Sequence, residues 1–103
     1  MSRYARRRDG NHGTLVAAFL RTGCTVIDTS HAGIPGWPDA VVGCLGISHL
    51  VEFKNPETRY GRSGLNSNQT AFGRDWRGSP VFVVSTVDEV LAVVANWRRA
   101  KAA

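Results

Sequence analysis

The chain has little of what would assign it to several large classes of protein. Its two cysteines, Cys24 and Cys44, lack the spacing of zinc ligands and stand among apolar residues. No apolar run approaches the roughly 20 residues that span a bilayer, and the charged N-terminus is not followed promptly by an apolar signal core. We therefore expect a soluble, cytoplasmic protein without a membrane partner, in which both cysteines are reduced and buried.

Acidic residues are also scarce, with 8 of them against 13 lysines and arginines and a net charge of +5. This balance favours a polyanionic partner such as DNA, although basic termini also simply keep small proteins soluble. Cations cluster near both ends of the chain: Arg3, Arg6, Arg7 and Arg8, then Arg98, Arg99 and Lys101. We expect residues 1–9 to form a flexible basic arm.

The length of 103 residues and the hydrophobic content of 43% fit one globular domain over residues 10–103. Hydrophobic periodicity and turn residues predict an α/β domain with the order α-β-β-β-α-β-α. Helices are expected at 11–22, 66–76 and 87–99, and strands at 25–29, 39–43, 47–54 and a buried 81–85. The expected core-facing stripes are Leu15, Val16, Phe19 and Leu20, then Val90, Leu91, Val94 and Trp97.

The two central strands read as a β-hairpin with Leu45-Gly46 as its turn. If Cys44 pairs with Ile47, the register places Asp39 directly opposite Glu52. Because strand residues two apart share a face, Glu52 and Lys54 project together while Phe53 points into the core. The hairpin thus predicts two carboxylates and one ammonium on one face.

Two carboxylates this close repel each other unless a cation lies between them. Hard oxygen ligands favour Mg²⁺ or Mn²⁺, and the backbone carbonyl of Phe53 offers a further ligand. Lys54 can then orient a water or offset the charge that develops on a phosphate. The alternative is that Glu52 and Lys54 form a solvated ion pair and that Asp39 is a turn residue.

Three segments together resemble the PD-(D/E)xK nuclease superfamily, and within it the small VRR-NUC proteins of phages and prophages. They are Gly36-Trp37-Pro38-Asp39, Val51-Glu52-Phe53-Lys54 and Leu65-x-x-x-Gln69, within a likeness that covers roughly residues 8–94. The resemblance implies a restriction-endonuclease-like core and a Mg²⁺- or Mn²⁺-dependent DNA endonuclease. It also implies a homodimer acting on branched or four-way junction DNA, in a bacterial or phage-infected cell beside phage or host replication and repair proteins.

Carried over to this sequence, the resemblance implies that Asp39 and Glu52 are metal ligands and Lys54 is the catalytic lysine. Gln69 would contact the site or the DNA backbone, or alternatively complete a capping box with Asn66. The family's first helix often begins with Asn-Glu, where this chain has Asn11-His12. His12 would then be a metal ligand, a ligand through water, a phosphate contact, or a surface residue.

Several cations are candidates for DNA phosphates, with solvated loops as the alternative: Arg6, Arg7, Arg8, Arg59 and Arg62. Trp37 either stacks on DNA or packs beside its loop, whereas His31 and His49 are not assigned to the site. Two other functions remain open. One is a non-catalytic nucleic-acid-binding module with a decayed site at His12, and the other is a nuclease subunit active only with a partner protein.

Overall fold

A computed structural model describes residues 11–58 and 64–102, and within them the helices and strands follow the predicted order. The helices are α1 (His12–Arg21), α2 (Ser67–Asp75) and α3 (Val87–Ala102), and the strands are β1 (Thr25–Asp28), β2 (Ala40–Cys44), β3 (Ile47–Phe53) and β4 (Val81–Val84). The predicted boundaries differ from these by three residues at most. The arm predicted for residues 1–9 lies outside the described residues.

The four strands form one mixed sheet in the order β1-β2-β3-β4. The pairs β1–β2 and β2–β3 are antiparallel, whereas β4 runs parallel to β3. A parallel pair requires a crossover connection, and the segment that contains α2 supplies it. The protein is therefore a small α/β domain in which helices flank a four-stranded mixed sheet.

The hairpin between β2 and β3 has the predicted register. Cys44 pairs with Ile47, and the pairing continues to Ala40 and Val51. Leu45 and Gly46 both have positive φ angles, 55° and 82°, as a two-residue type I′ turn requires. Because such a turn fixes the register, Asp39 lies opposite Glu52, one position beyond the last paired residues.

The hydrophobic core lies where α1 and α3 pack against one face of the sheet. Phe53 contributes from β3 with 2% of its surface exposed, and both cysteines are free and buried, as predicted. His49 is buried on this same face, stacked on Trp97 with ring centroids 3.7 Å apart. Its position agrees with its exclusion from the candidate site.

Three predictions about burial are wrong. β4 is an edge strand rather than a buried one, and Val83 is 44% exposed. Leu20 and Leu91, placed on the core stripes of their helices, are 54% and 46% exposed. A helix on one face of a small sheet buries only a narrow stripe, so residues at its margin stay in solvent.

The start of α1 is tied to the ends of two strands. The side-chain amide of Asn11 donates to the carbonyl of Lys54 at 2.8 Å and to that of Ser85 at 2.9 Å. These bonds fix the helix relative to the C-terminal ends of β3 and β4. Among the helices of residues 11–58 and 64–102, none combines the length and apolarity needed to cross a membrane.

Candidate functional site

The β2–β3 ladder ends at Ala40 and Val51, and beyond it a carboxylate replaces the next backbone contact. The hairpin register would pair Pro38 with Phe53, but proline has no N–H to donate, and its carbonyl accepts a bond from the Thr29 hydroxyl at 2.9 Å. The N–H of Phe53 donates instead to Oδ2 of Asp39 at 2.8 Å. The backbone N–H of Thr29 donates to the Asp39 carbonyl at 2.8 Å. Asp39 is therefore held at both its backbone and its side chain.

Glu52 and Lys54 lie beside Asp39 and are almost completely buried, with 5% and 3% of their surfaces exposed. Nζ of Lys54 lies 3.7 Å from Oε2 of Glu52. Buried ionisable groups are expensive unless they are paired and hydrogen-bonded. The solvated ion pair considered from the sequence is therefore not what the structure shows, because both side chains are withdrawn from water.

Gln69 connects this pair to α2. Its Nε2 donates to Oε2 of Glu52 at 2.5 Å, and its Oε1 accepts from Nζ of Lys54 at 3.1 Å. The same Oε1 accepts the backbone N–H of Asn66 at 3.0 Å, while Oδ1 of Asn66 accepts the N–H of Gln69 at 2.9 Å. The capping box and the contact with the site, offered as alternatives, are therefore both present.

The loop before Pro38 packs directly on α2. Gly36 has φ of +80°, and a Cβ added there would lie 2.2 Å from the backbone oxygen of Asn68. The ring of Trp37 meets those of Phe72 and Trp76 edge-on, at 5.5 and 6.0 Å between centroids. These contacts favour the packing interpretation of Trp37. They pack the loop that leads to Asp39 against the helix that carries Gln69.

The electrostatics of the site centre on Glu52. The pKa of Glu52 is raised to about 8, mainly by burial and then by the negative charge and hydrogen bond of Asp39, while Lys54 and Gln69 oppose the shift. Near pH 7 and without a bound cation, the carboxyl group of Glu52 therefore retains its proton. A cation held between Asp39 and Glu52 would take the place of that proton.

His12 lies elsewhere. Its buried ring meets that of Phe53 edge-on at 4.7 Å, and its Nε2 lies 3.7 Å from Oδ2 of Asp28. Since alternate strand residues face opposite sides, the contact with Phe53 places His12 on the face of the sheet opposite Glu52 and Lys54. The structure does not bring His12 to the Asp39–Glu52 pair, and its role as a metal ligand stays a prediction.

The donors that converge here fit Mg²⁺ or Mn²⁺. Across residues 11–58 and 64–102, no three histidine, cysteine, aspartate or glutamate side chains are grouped for a metal, so the set consists of two carboxylates and a carbonyl. The carbonyl of Phe53 points to the same side of its strand as its N–H, toward Asp39, and Pro38 cannot donate to it. Mg²⁺ commonly binds through one or two carboxylates and keeps several waters.

Sequence reasoning missed Asn11 and Thr29, whose side chains bind backbone carbonyls at the edge of the sheet. The only signal for either was a short polar side chain next to a predicted element, which is also typical of ordinary caps. The proposed DNA contacts fall on residues outside those that the structure describes: Arg6, Arg7, Arg8, Arg59 and Arg62.

Comparison with known proteins adds no relative. No family model matches the chain, and neither does any curated protein or solved structure. The functional assignment therefore rests on the residues and geometry of this chain.

Proposed function

We propose that this chain is a divalent-metal-dependent endonuclease that hydrolyses phosphodiester bonds in DNA. The observation that carries the proposal is the convergence of Asp39, Glu52 and Lys54 on one face of the sheet, at the end of the hairpin ladder. The mixed sheet with flanking helices supports the assignment of this domain to the restriction-endonuclease-like core.

Asp39, Glu52 and the carbonyl of Phe53 would hold the cation. When bound, Mg²⁺ or Mn²⁺ supplies a Lewis acid for the phosphate and a water of lowered pKa. Glu52 gives up its proton on binding, and Asp39 is already oriented by its bond to the N–H of Phe53 at 2.8 Å. The protein thus keeps the ligands in place before the substrate arrives.

Lys54 acts on the phosphate. Its ammonium is held by Gln69 at 3.1 Å and lies 3.7 Å from Glu52, so its position is fixed by two elements, β3 and α2. An ammonium preorganised in a water-poor site stabilises the negative charge that develops on the phosphoryl oxygens. It can also orient the attacking water by hydrogen bonding.

The partner we propose is DNA, because the net charge is +5 and phosphate attraction dominates nonspecific affinity. A chain of 103 residues offers little surface for reading a sequence. A homodimer that recognises branched or four-way DNA is the form we favour, since two-fold symmetry presents two sites to two strands. Such an enzyme would work in the bacterial cytoplasm, beside replication and repair proteins of a phage or its host.

A second candidate is a nucleic-acid-binding module without catalysis. It is favoured by the separation of His12 from Glu52, which leaves the described part of the site with two side-chain ligands. A subunit completed by a partner protein would show the same inactivity when isolated.

Cleavage assays separate these functions. Purified protein is incubated with labelled duplex, single-stranded, flap and four-way DNA in Mg²⁺ or Mn²⁺. We expect cutting by the wild type, and a loss on the order of 10²-fold or more in Asp39→Asn and Lys54→Met, with DNA affinity retained. Asp75→Asn, which removes an exposed acid from α2, is the matched control and should cut normally. Binding without cutting in either metal would refute a nuclease that acts as the isolated chain.

A further inference from the structure

A cavity of about 240 Å³ lies between α2 and the sheet, and its lining includes Glu52. Glu52 and Gln69 form its polar end, while Phe72 and Val81 contribute apolar walls. Leu65, Gly73 and Pro80 also line it and are exposed, so the cavity opens to solvent at this rim. The cavity thus leads from the protein surface to a carboxylate of the proposed metal site.

Its size and lining restrict the occupant. Pockets for drug-sized ligands measure roughly 300–1,000 Å³, so this smaller cavity suits one flat ring system rather than a complete nucleotide. Phe72 offers an aromatic wall, and its ring is held by edge-on contact with Trp37 and by stacking on Trp76 at 5.3 Å. A rigid aromatic ring of this kind is what nucleobases stack on in single-stranded nucleic-acid complexes.

We propose that this cavity receives the base of an unpaired nucleotide adjoining the phosphate that is cut, an inference that rests on the proposed nuclease function. A base within a duplex is stacked on both sides and cannot enter a cavity behind α2 without leaving the helix. An unpaired base enters at little cost. The substrate class is therefore DNA with an extrahelical or single-stranded nucleotide at the cleavage position, which branched DNA provides.

The wild-type protein gives the first test. Affinities are measured by fluorescence anisotropy, with metal chelated, for a duplex containing a one-nucleotide bulge and for the same bulge carrying an abasic tetrahydrofuran. Stacking of one base on an aromatic ring is worth roughly 5- to 150-fold in affinity, so the bulge with a base should bind at least about 5-fold tighter. Equal affinities would overturn the proposal. They are also the result expected if the cavity binds a protein side chain instead of a base.

Gly73 gives the second test, because it lines the cavity and a Cβ added there meets nothing within 4 Å. Gly73→Phe extends a ring across the rim and should remove the preference for the base. Gly73→Ala, the matched control, leaves the cavity open and should keep the preference. Retention of the preference in Gly73→Phe would also contradict the proposal.

The two proposals fail differently. Base preference in binding together with no cutting in Mg²⁺ or Mn²⁺ would retain the cavity as a base-binding site and refute a nuclease that acts as the isolated chain. Metal-dependent cutting with equal affinity for the base and the abasic site would retain the nuclease and refute the cavity assignment.

Discussion

The carboxylate of Asp39 accepts the backbone N–H of Phe53 at 2.8 Å, just beyond the last pair of the β2–β3 ladder. This bond explains how a proline followed by an aspartate in the sequence places the acid beside Glu52. Proline has no N–H to donate to the carbonyl of Phe53, and the carbonyl of Pro38 accepts from the Thr29 hydroxyl instead of from the N–H of Phe53. The carboxylate of Asp39 accepts that N–H, and this bond orients the carboxylate.

The raised pKa of Glu52 predicts that stability falls with rising pH in metal-free protein. Between the ordinary value of 4.5 and about 8, the folded state holds a proton that the unfolded state has released. We expect urea denaturation to show that the free energy of unfolding declines by an amount on the order of 2–5 kcal/mol across this pH range. Glu52→Gln should flatten the decline, and exposed Glu57→Gln should not. An identical slope in Glu52→Gln would disprove the assignment.

Much of this site could be predicted from the sequence because a short turn determines the hairpin. Leu45-Gly46 fixed the register, and the register placed Asp39 opposite Glu52. The alternation of strand residues then put Lys54 beside Glu52. These are local rules, and no long-range packing intervenes between the turn and the acids.

Gln69 has two roles that a pair of variants separates. Gln69→Glu keeps a carboxylate oxygen for the capping box but replaces the amide donor to Glu52 with a third carboxyl group beside Asp39 and Glu52. Gln69→Ala removes both roles and should cost about 1 kcal/mol for the cap alone. In thermal melts we expect both variants to be less stable without metal, and only Gln69→Glu to gain more than the wild type from Mn²⁺. If Gln69→Glu has the melting temperature of the wild type and gains the same stability from Mn²⁺, the side chain of Gln69 acts only in capping α2.

Gly36 should be far less tolerant of substitution than Gly33. Both have positive φ, +80° and +75°, but only at Gly36 would a Cβ meet backbone, 2.2 Å from the oxygen of Asn68. Gly33→Ala should cost ~1–2 kcal/mol for the left-handed conformation. Gly36→Ala should cost at least about 2 kcal/mol more, because the loop must move away from α2. Equal losses in chemical denaturation would show that this contact does not hold the loop.

The pKa of His49 predicts a second dependence of stability on pH, with a sign opposite to that of Glu52. Burial lowers the pKa of His49 from its ordinary 6.5, so the folded state keeps it neutral where the unfolded state binds a proton. Its contribution is present above pH 6.5 and is lost as the pH falls through the lowered pKa. His49→Phe, which retains a ring against Trp97, should be less sensitive to acid in thermal melts. Unchanged acid sensitivity would contradict this reading.

The sequence could not supply the features that depend on how separate elements pack. The exposure of β4 follows from its edge position, and the apolar run at 81–85 carries no sign of that position. His12 was aligned by its place after Asn11, but the bonds of Asn11 to Lys54 and Ser85 orient α1 so that His12 meets Phe53 and Asp28. The cavity beside Phe72 joins residues from four separate segments.

Titration of the protein with Mn²⁺ by isothermal calorimetry tests the metal site most directly. At pH 7, in two buffers of different ionisation enthalpy, we expect binding by the wild type with release of about one proton per ion, because Glu52 is largely protonated beforehand. Asp39→Asn should abolish or greatly weaken binding, and Glu57→Gln should leave it unchanged. Absence of Mn²⁺ binding in the wild type, or undiminished binding in Asp39→Asn, would contradict the assignment of Asp39 and Glu52 as a metal site.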